Sequence, residues 1–423
     1  MHYSPRSGRG HLSALVAPLL ALAINQAQAG QVEVLHWWTS GGEARSAALL
    51  KEMLEKQGHS WKDFAVAGGG GESAMTVLKT RAVSGNPPAA AQIKGHDIQE
   101  WAELGFLASL DDTATAEGWD KVLSPVVTKV MKSDGHYVAV PINVHRVNWL
   151  WANPAVFTKA GATIPGSWEE FITAADKIQA AGLIPLAHGG QPWQDATLFE
   201  AVALATLGTD DYSRAFVDHD IRVLSGDKMV LALERFKSLR QYIDRDSAGR
   251  DWNIATGMVI SGDAAMQIMG DWAKGEFAAA GKVPGQDYRC VAAPGTATAF
   301  AFNIDSLAFF KLRTKDDQNA QQVLASTILS PAFQKAFNIN KGSIPVRLDM
   351  VMDGFDQCAV DSMAAFRSAN ANGTLVPSWS HGLATTSQIQ GALTDVISNY
   401  FNDDKTTAQE AANKMARAVK AAM

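Results

Sequence analysis

Twelve tryptophans in a chain of 423 residues concentrate one kind of chemistry. Trp37 and Trp38 stand together before "TSGG", Trp193 lies in "GGQPWQD", Trp272 in "MGDWAKG" and Trp379 in "PSWSHG", all polar, turn-like surroundings. Tryptophan is usually buried for packing alone, so part of the set must be core. An indole left in a polar loop suits a different role, in which its flat face covers apolar C–H groups while neighbouring charged or amide groups bind a polar rim through charge-assisted hydrogen bonds. A sugar ring has both surfaces. The polar groups available are Glu43, Lys94 and Asp97 in "IKGHD", Lys341 in "NKGSIP" and His381 in "WSHG". Each has a plainer alternative. Glu43 closes the S-x-x-E pattern Ser40–Glu43 and could cap a helix; the others could be solvated loop groups.

Other chemistries are less well supported. The P-loop pattern, G-x-S-x-G, H-E-x-x-H and the EF-hand loop are absent from the sequence. The run Gly68–Gly71 stands where a phosphate loop could sit, yet no Gly-Lys-Ser/Thr follows it; it equally suits close approach of backbone to any polar ligand. The ten histidines show no i, i+4 pair and no Cys/His spacing of the kind metals select, so neither metal nor other cofactor is expected. Paired carboxylates of the glycoside-hydrolase type stay open, because any two of 43 acidic residues could meet across a cleft.

The elements that must position these groups alternate. "QVEVLHWW" is branched and aromatic in alternation and reads as a strand. Consecutive residues at a strand end point to opposite faces, so one of Trp37 and Trp38 is expected in the core and the other against a ligand. Ser40–Glu43 then opens a helix with Ala47, Leu50, Met53 and Leu54 at helical spacing, stopped by Gly58. A second strand, "DFAVAG", leads through Gly68–Gly71 into the helix "ESAMTVLKTRAVSG". Strand, loop and helix in repetition imply an α/β protein with a parallel or mixed sheet covered by helices. Farther on, "SWEEFITAADKIQAAG" reads as a capped helix, "AAMQIMG" as a short strand ahead of Asp271 and Trp272, and "TTAQEAANKMARAVKAAM" as an amphipathic helix that docks.

The first residues follow the pattern of an exported precursor. Arg6 and Arg9 precede the apolar run "LSALVAPLLALA", and Ala27-Gln28-Ala29 suggests cleavage after Ala29. The run is shorter than the roughly 20 residues a bilayer crossing needs, and no later segment is continuously apolar at that length. Without this leader the net charge becomes about −8, which argues against nucleic acid or an anionic membrane as the main partner. Length and 47% hydrophobic content favour two domains over one. Cys290 and Cys358, in an oxidising compartment, are expected to form a disulfide worth roughly 4 kcal/mol, against the alternative of two separate buried thiols.

Three longer stretches add to this reading: "VAVPINVHRVNWLWANPAVFTKAGATIPGSWEEF", "ISGDAAMQIMGDW" and "NKGSIPVRLD". Together they resemble stretches shared by the bacterial extracellular sugar-binding proteins of ABC importers, and more narrowly the pseudomonad-type periplasmic glucose-binding branch. The resemblance implies a two-lobe periplasmic-binding-protein fold, each lobe a mixed sheet flanked by helices, with hinge crossings near Pro141–Arg146, Pro294–Phe300 and Ile344–Asp349. On this basis residues 1–29 are a signal peptide, 30–142 with 298–345 form the N-terminal lobe, and 143–297 with 346–423 the C-terminal lobe. The resemblance also implies a ligand set: Trp37 and Trp38 as aromatic platform, Glu43 and Lys94 as N-lobe contacts with Asp97 beside them, Lys341 as a cation beside the hydroxyls, His381 as a further hydrogen bond, and Trp272 and Asn303 as additional contacts. The expected protein is a periplasmic, monomeric, non-enzymatic subunit that delivers a monosaccharide, glucose above all, to a membrane permease, without nucleic acid, metal or cofactor. A secreted glycoside hydrolase and an oligosaccharide carrier of the same fold are the alternatives. Replacing Lys341 by Met is expected to lower affinity much more than fold stability.

Overall fold

The structure, a computed structural model, describes residues 1–4 and 29–423; the apolar run of the expected signal peptide lies outside them. Among the described residues no helix is long and apolar enough to cross a membrane.

Among the described residues twelve of fourteen strands build three sheets, and the other two, Lys132–Ser133 and His136–Tyr137, pair only with each other. In chain order the twelve are β1 (Gln31–His36), β2 (Ser60–Ala65), β3 (Ala90–Ile93), β4 (Ala139–Pro141), β5 (His145–Arg146) and β6 (Trp149–Ala152). The chain continues with β7 (Ile184–Leu186), β8 (Ala264–Ile268), β9 (Arg289–Ala292), β10 (Phe300–Asn303), β11 (Ser306–Phe309) and β12 (Leu375–Pro377). The first sheet has the order β2-β1-β3-β11-β4, parallel from β2 to β3 and antiparallel at β11 and β4. The second has the order β9-β6-β8-β7, with only β8 and β7 parallel. Both are therefore mixed sheets, as the alternation of strands and helices implies.

Two hydrophobic cores follow the two sheets. Val34, Leu35, Leu50, Ile93, Leu307 and Phe337 belong to one; Leu150, Trp151, Phe171, Phe199, Met266 and Phe277 belong to the other. The third sheet, β12-β10-β5, runs between them. Strand periodicity lets one strand serve both cores: Phe300 and Phe302 of β10 face the first, while Ala301 between them faces the second. A lone bridge between Val144 and Ile344 adds a further crossing at this waist.

Local signals explain most element ends. Ser40 caps helix Gly41–Glu55. Ser167 and Glu170 form a reciprocal capping box on Trp168–Ala180, and Thr407 with Glu410 does the same on Ala408–Ala422. The second strand lies a few residues before "DFAVAG", at Ser60–Ala65, because its register is set by pairing with β1. Cys290 in β9 and Cys358 in helix Gln357–Asn372 are joined as a disulfide, their Cα atoms 6.0 Å apart. That helix packs Cys358 into the second core and Met363, Phe366 and Ala369 into the first.

Candidate functional site

The end of β1 turns into the chain's most informative corner. Trp38 is buried and packs at a tilt against Phe337, their ring centres 5.5 Å apart, whereas Trp37 is half-buried with the Lys94 ammonium 5.1 Å from its ring centre. The core half of the expected division is thus met by Trp38, although that ring also reaches the cavity wall. The glycine run lies against Trp37. Gly71 has φ 116°, and a Cβ there would stand 3.0 Å from the Trp37 ring; one on Gly70 would stand 3.2 Å from Trp193. Two indoles close on this backbone, one attached to each core, and larger residues would push them apart.

Between the lobes lies a cavity of about 310 Å³. Trp37, Trp38, Glu43, Lys94 and Lys341 line it from elements packed on the first core and Trp193, Trp252 and Trp272 from elements packed on the second, with Asn303 and His381 also in the wall. His145 and Asp305 stand at the waist between the two cores. The structure therefore brings together eight of the nine residues of the expected ligand set, and Trp193 with them. Asp97 is not among them: it lies in the first turn of helix His96–Glu103 and lines an adjoining chamber of about 420 Å³ instead. Trp379, for all its polar neighbours, is fully buried in the second core and stacks on Phe216.

Glu43 resolves between its two readings. Its backbone N–H is capped by the Ser40 hydroxyl, but its carboxylate turns to Lys341 Nζ at 2.7 Å rather than back to the cap. Both side chains are nearly inaccessible. His145 makes a second charged cluster, with Nδ1 on Asp271 and Nε2 3.0 Å from Asp305. Burial alone would lower the His145 pKa, yet the two carboxylates outweigh it and raise it. Burial likewise works against the Asp305 carboxylate, and His145, Lys341 and Lys94 reverse the effect, holding it well below the usual range. Loss of hydration lowers the Lys94 pKa, opposed by Asp305 and Asp97. His381 is held far below its usual value by burial, reinforced by Lys94 and His145. Two buried polar atoms of lining residues, Trp38 Nε1 and Asn303 Oδ1, have no protein partner among the described residues.

Known proteins share this architecture. Residues 39–325 match the model of the bacterial extracellular solute-binding protein family. Over 96% of its length the chain is 49% identical to a Rhizobium meliloti protein named "Probable sugar-binding periplasmic protein", of which it covers 98%. A Brucella melitensis protein of the same name is 48% identical over 97% of this chain and 96% of its own. This chain belongs to the bacterial extracellular solute-binding protein family. Among solved structures, a chitin oligosaccharide binding protein superposes with a TM-score of 0.80 at 18% identity, over 93% of this chain and 99% of that one, which establishes the shared two-lobe fold. As a member of this family, with relatives named for the periplasm, the chain is a periplasmic protein.

For a solute-binding protein the arrangement is chemically coherent, since lining groups from both cores converge on one space. Sequence reasoning missed His145, Asp305, Trp252, Gln191 and Asp251, which also line the cavity. The first two lie in "VHRVNW" and "FNIDS", where each stands beside other polar residues, Arg146 and Asn148 in one and Asn303 and Ser306 in the other, so no local signal marks it out. Trp252, Gln191 and Asp251 are no better marked.

Proposed function

We propose that the cavity binds a single neutral hexose, glucose above all, and that the chain delivers it to the membrane permease of an ABC importer. The observation that carries this reading is the pairing of charge inside a small, indole-walled space. Lys341 already neutralises Glu43, and His145 already meets Asp271 and Asp305, so these groups favour a polyhydroxy ligand over an ion. A volume of about 310 Å³ sits at the lower end of the roughly 300–1,000 Å³ typical of small-molecule sites, which suits one ring. The sugar-binding names of the relatives support the ligand class, and the pseudomonad-type resemblance supports glucose within it.

The proposed lobes, 30–142 with 298–345 and 143–297 with 346–423, open and close about the waist strands. Sugar favours the closed form because only there do both sets of wall residues reach it. Micromolar affinity, about −8 kcal/mol, spread over a hexose of about 12 non-hydrogen atoms gives near −0.7 kcal/mol per atom, within the ceiling for small ligands.

One observation favours a second reading, an oligosaccharide carrier: the adjoining chamber shares Trp37, Lys94, Trp193 and His381 with the main cavity, so a second ring would have a place to go. Incubation with aryl-glycosides and with free sugars tests the function class. Saturable quenching of tryptophan fluorescence without release of aglycone is the expected result; turnover would identify a hydrolase and overturn the proposal.

A further inference from the structure

The helix Pro192–Phe216 presents Trp193, Thr197 and Glu200 on one face, at spacings of four and three residues. All three act on the loop that carries His381. Trp193 lines the cavity, with its ring centre 6.3 Å from that of His381. Glu200, fully buried, accepts hydrogen bonds at 2.7 Å from the Trp379 N–H and from the Ser378 and Ser380 hydroxyls. Those are the three residues immediately before His381, so the loop is anchored up to the histidine itself.

Thr197 decides what the histidine can do. It is fully buried, and its hydroxyl donates to the Trp193 carbonyl oxygen at 2.8 Å. The same hydroxyl oxygen lies 3.3 Å from His381 Nε2. A hydroxyl has one proton to give, and here the carbonyl takes it, because a carbonyl can only accept. Toward His381 the threonine oxygen is therefore an acceptor, and Nε2 must carry the ring proton. In a neutral imidazole the other nitrogen, Nδ1, is then left with a lone pair. Among the described residues Nδ1 makes no hydrogen bond to protein, while His381 lines both the main cavity and the adjoining chamber.

We propose that Thr197 is a positioning residue that fixes His381 as the Nε2–H tautomer, so that His381 accepts a hydrogen bond from a ligand hydroxyl at Nδ1 instead of donating one. The inference rests on the proposed sugar-binding reading, and it assigns a direction to one of the contacts that reading contains. The surroundings agree with a neutral ring: burial disfavours a further proton, and Lys94 and His145 face it with positive charge, opposed by Asp305. The complementary donors in the cavity, Lys94 and Lys341, would serve hydroxyl oxygens, whereas His381 would take a hydroxyl hydrogen. A ligand whose hydroxyl at this point is replaced by a methoxy group has no hydrogen to offer.

Two-bond 15N–1H correlation spectra of sugar-free, 15N-labelled protein read the tautomer directly, with the His381 signals assigned by their loss in H381Q. The expected result is the Nε2–H pattern in the parent protein. T197V should mix the tautomers and weaken glucose binding by about tenfold, whereas T197S should restore both to within about twofold. An Nδ1–H pattern in the parent, or a T197V protein with unchanged tautomer and unchanged affinity, would overturn the proposal. If the parent shows the Nε2–H pattern and binds no sugar, the sugar-binding reading fails and takes the role in ligand selection with it, while the tautomer assignment stands.

Discussion

Glu43 Oε1 and Lys341 Nζ lie 2.7 Å apart although 298 residues separate them in the chain. The pair joins the first turn of one helix to the last turn of another, inside the cavity wall. Side-chain exposures of 11% and 3% leave it only weakly screened by solvent. This changes what a substitution at Lys341 reports. K341M strands a buried carboxylate, and breaking one side of a buried pair typically costs about 3–5 kcal/mol. The expectation from sequence is that affinity falls much more than stability; the buried pair adds that stability should fall measurably as well. The double variant E43Q/K341M should recover most of the stability and none of the affinity, which urea denaturation beside glucose titration checks.

Lowering the pH sets two histidines against each other. The folded-state pKa of His381 is depressed, so its contribution is present above the unfolded value of about 6.5 and is lost as the pH falls, when the unfolded chain takes up a proton that the folded chain refuses. His145 has a raised pKa; its contribution is full below about 6.5 and declines as the pH rises through its folded value. Asp305 contributes above about 3.9 and loses its effect only below that, outside this window. Between pH 7.5 and 5.5, H381Q should therefore lose less stability than the parent protein. Equal slopes in paired urea titrations would refute the assignment of His381 as a buried neutral ring.

The glycine run bears on the site through sterics. G71A places a methyl group 3.0 Å from the Trp37 ring at a backbone φ of 116°, a conformation unfavourable to alanine. Strain of this kind costs of order 1–3 kcal/mol. We expect a lower melting temperature and a displaced Trp37, visible as altered tryptophan fluorescence and weaker sugar binding. G85A is the control: its φ is also positive, at 72°, but nothing lies within 4 Å of the added carbon, so it should lose stability while leaving the sugar affinity unchanged.

Reduction of Cys290–Cys358 releases a loop with a sequence separation of 68. On the chain-entropy model such a closure contributes about 4 kcal/mol. The helix it anchors packs on both cores, and Asp356, which caps that helix, pairs with the buried Lys274. C290S/C358S should lower the denaturation midpoint and leave the cavity residues in place, so that glucose affinity stays within about twofold under conditions where the protein is folded. A midpoint indifferent to reductant would contradict this.

What the sequence made legible was local. The capping box of Ser167 and Glu170, the strand before Trp37 and the helix after Ser40 depend on neighbours a few residues away, and all are present. The unequal burial of Trp37 and Trp38 is expected from strand alternation, although β1 ends at His36 and both rings reach the cavity. Context misled where polar neighbours had a buried partner. Ser378 and Ser380 made the surroundings of Trp379 look like a solvent loop, but their hydroxyls are taken up by Glu200, far away in the chain and fully buried, and the indole is core. His145 and Asp305 meet across 160 residues, a distance at which composition and spacing carry no information. Asp97 follows Lys94 by three residues in the sequence, yet only Lys94 reaches the main cavity, because Gly95, at φ 52°, turns the chain between them and Asp97 falls in the first turn of the helix that follows, on the adjoining chamber.

Isothermal titration of the sugar-free protein with glucose, galactose, mannose and a short glucan tests the central claim most directly. The account predicts one hexose per chain, micromolar or tighter for glucose, with affinity at least about tenfold weaker for the epimers, since each misplaced hydroxyl leaves a buried partner unpaired at roughly 1–3 kcal/mol. No heat with any aldose, or a clear preference for the glucan over glucose, would contradict it.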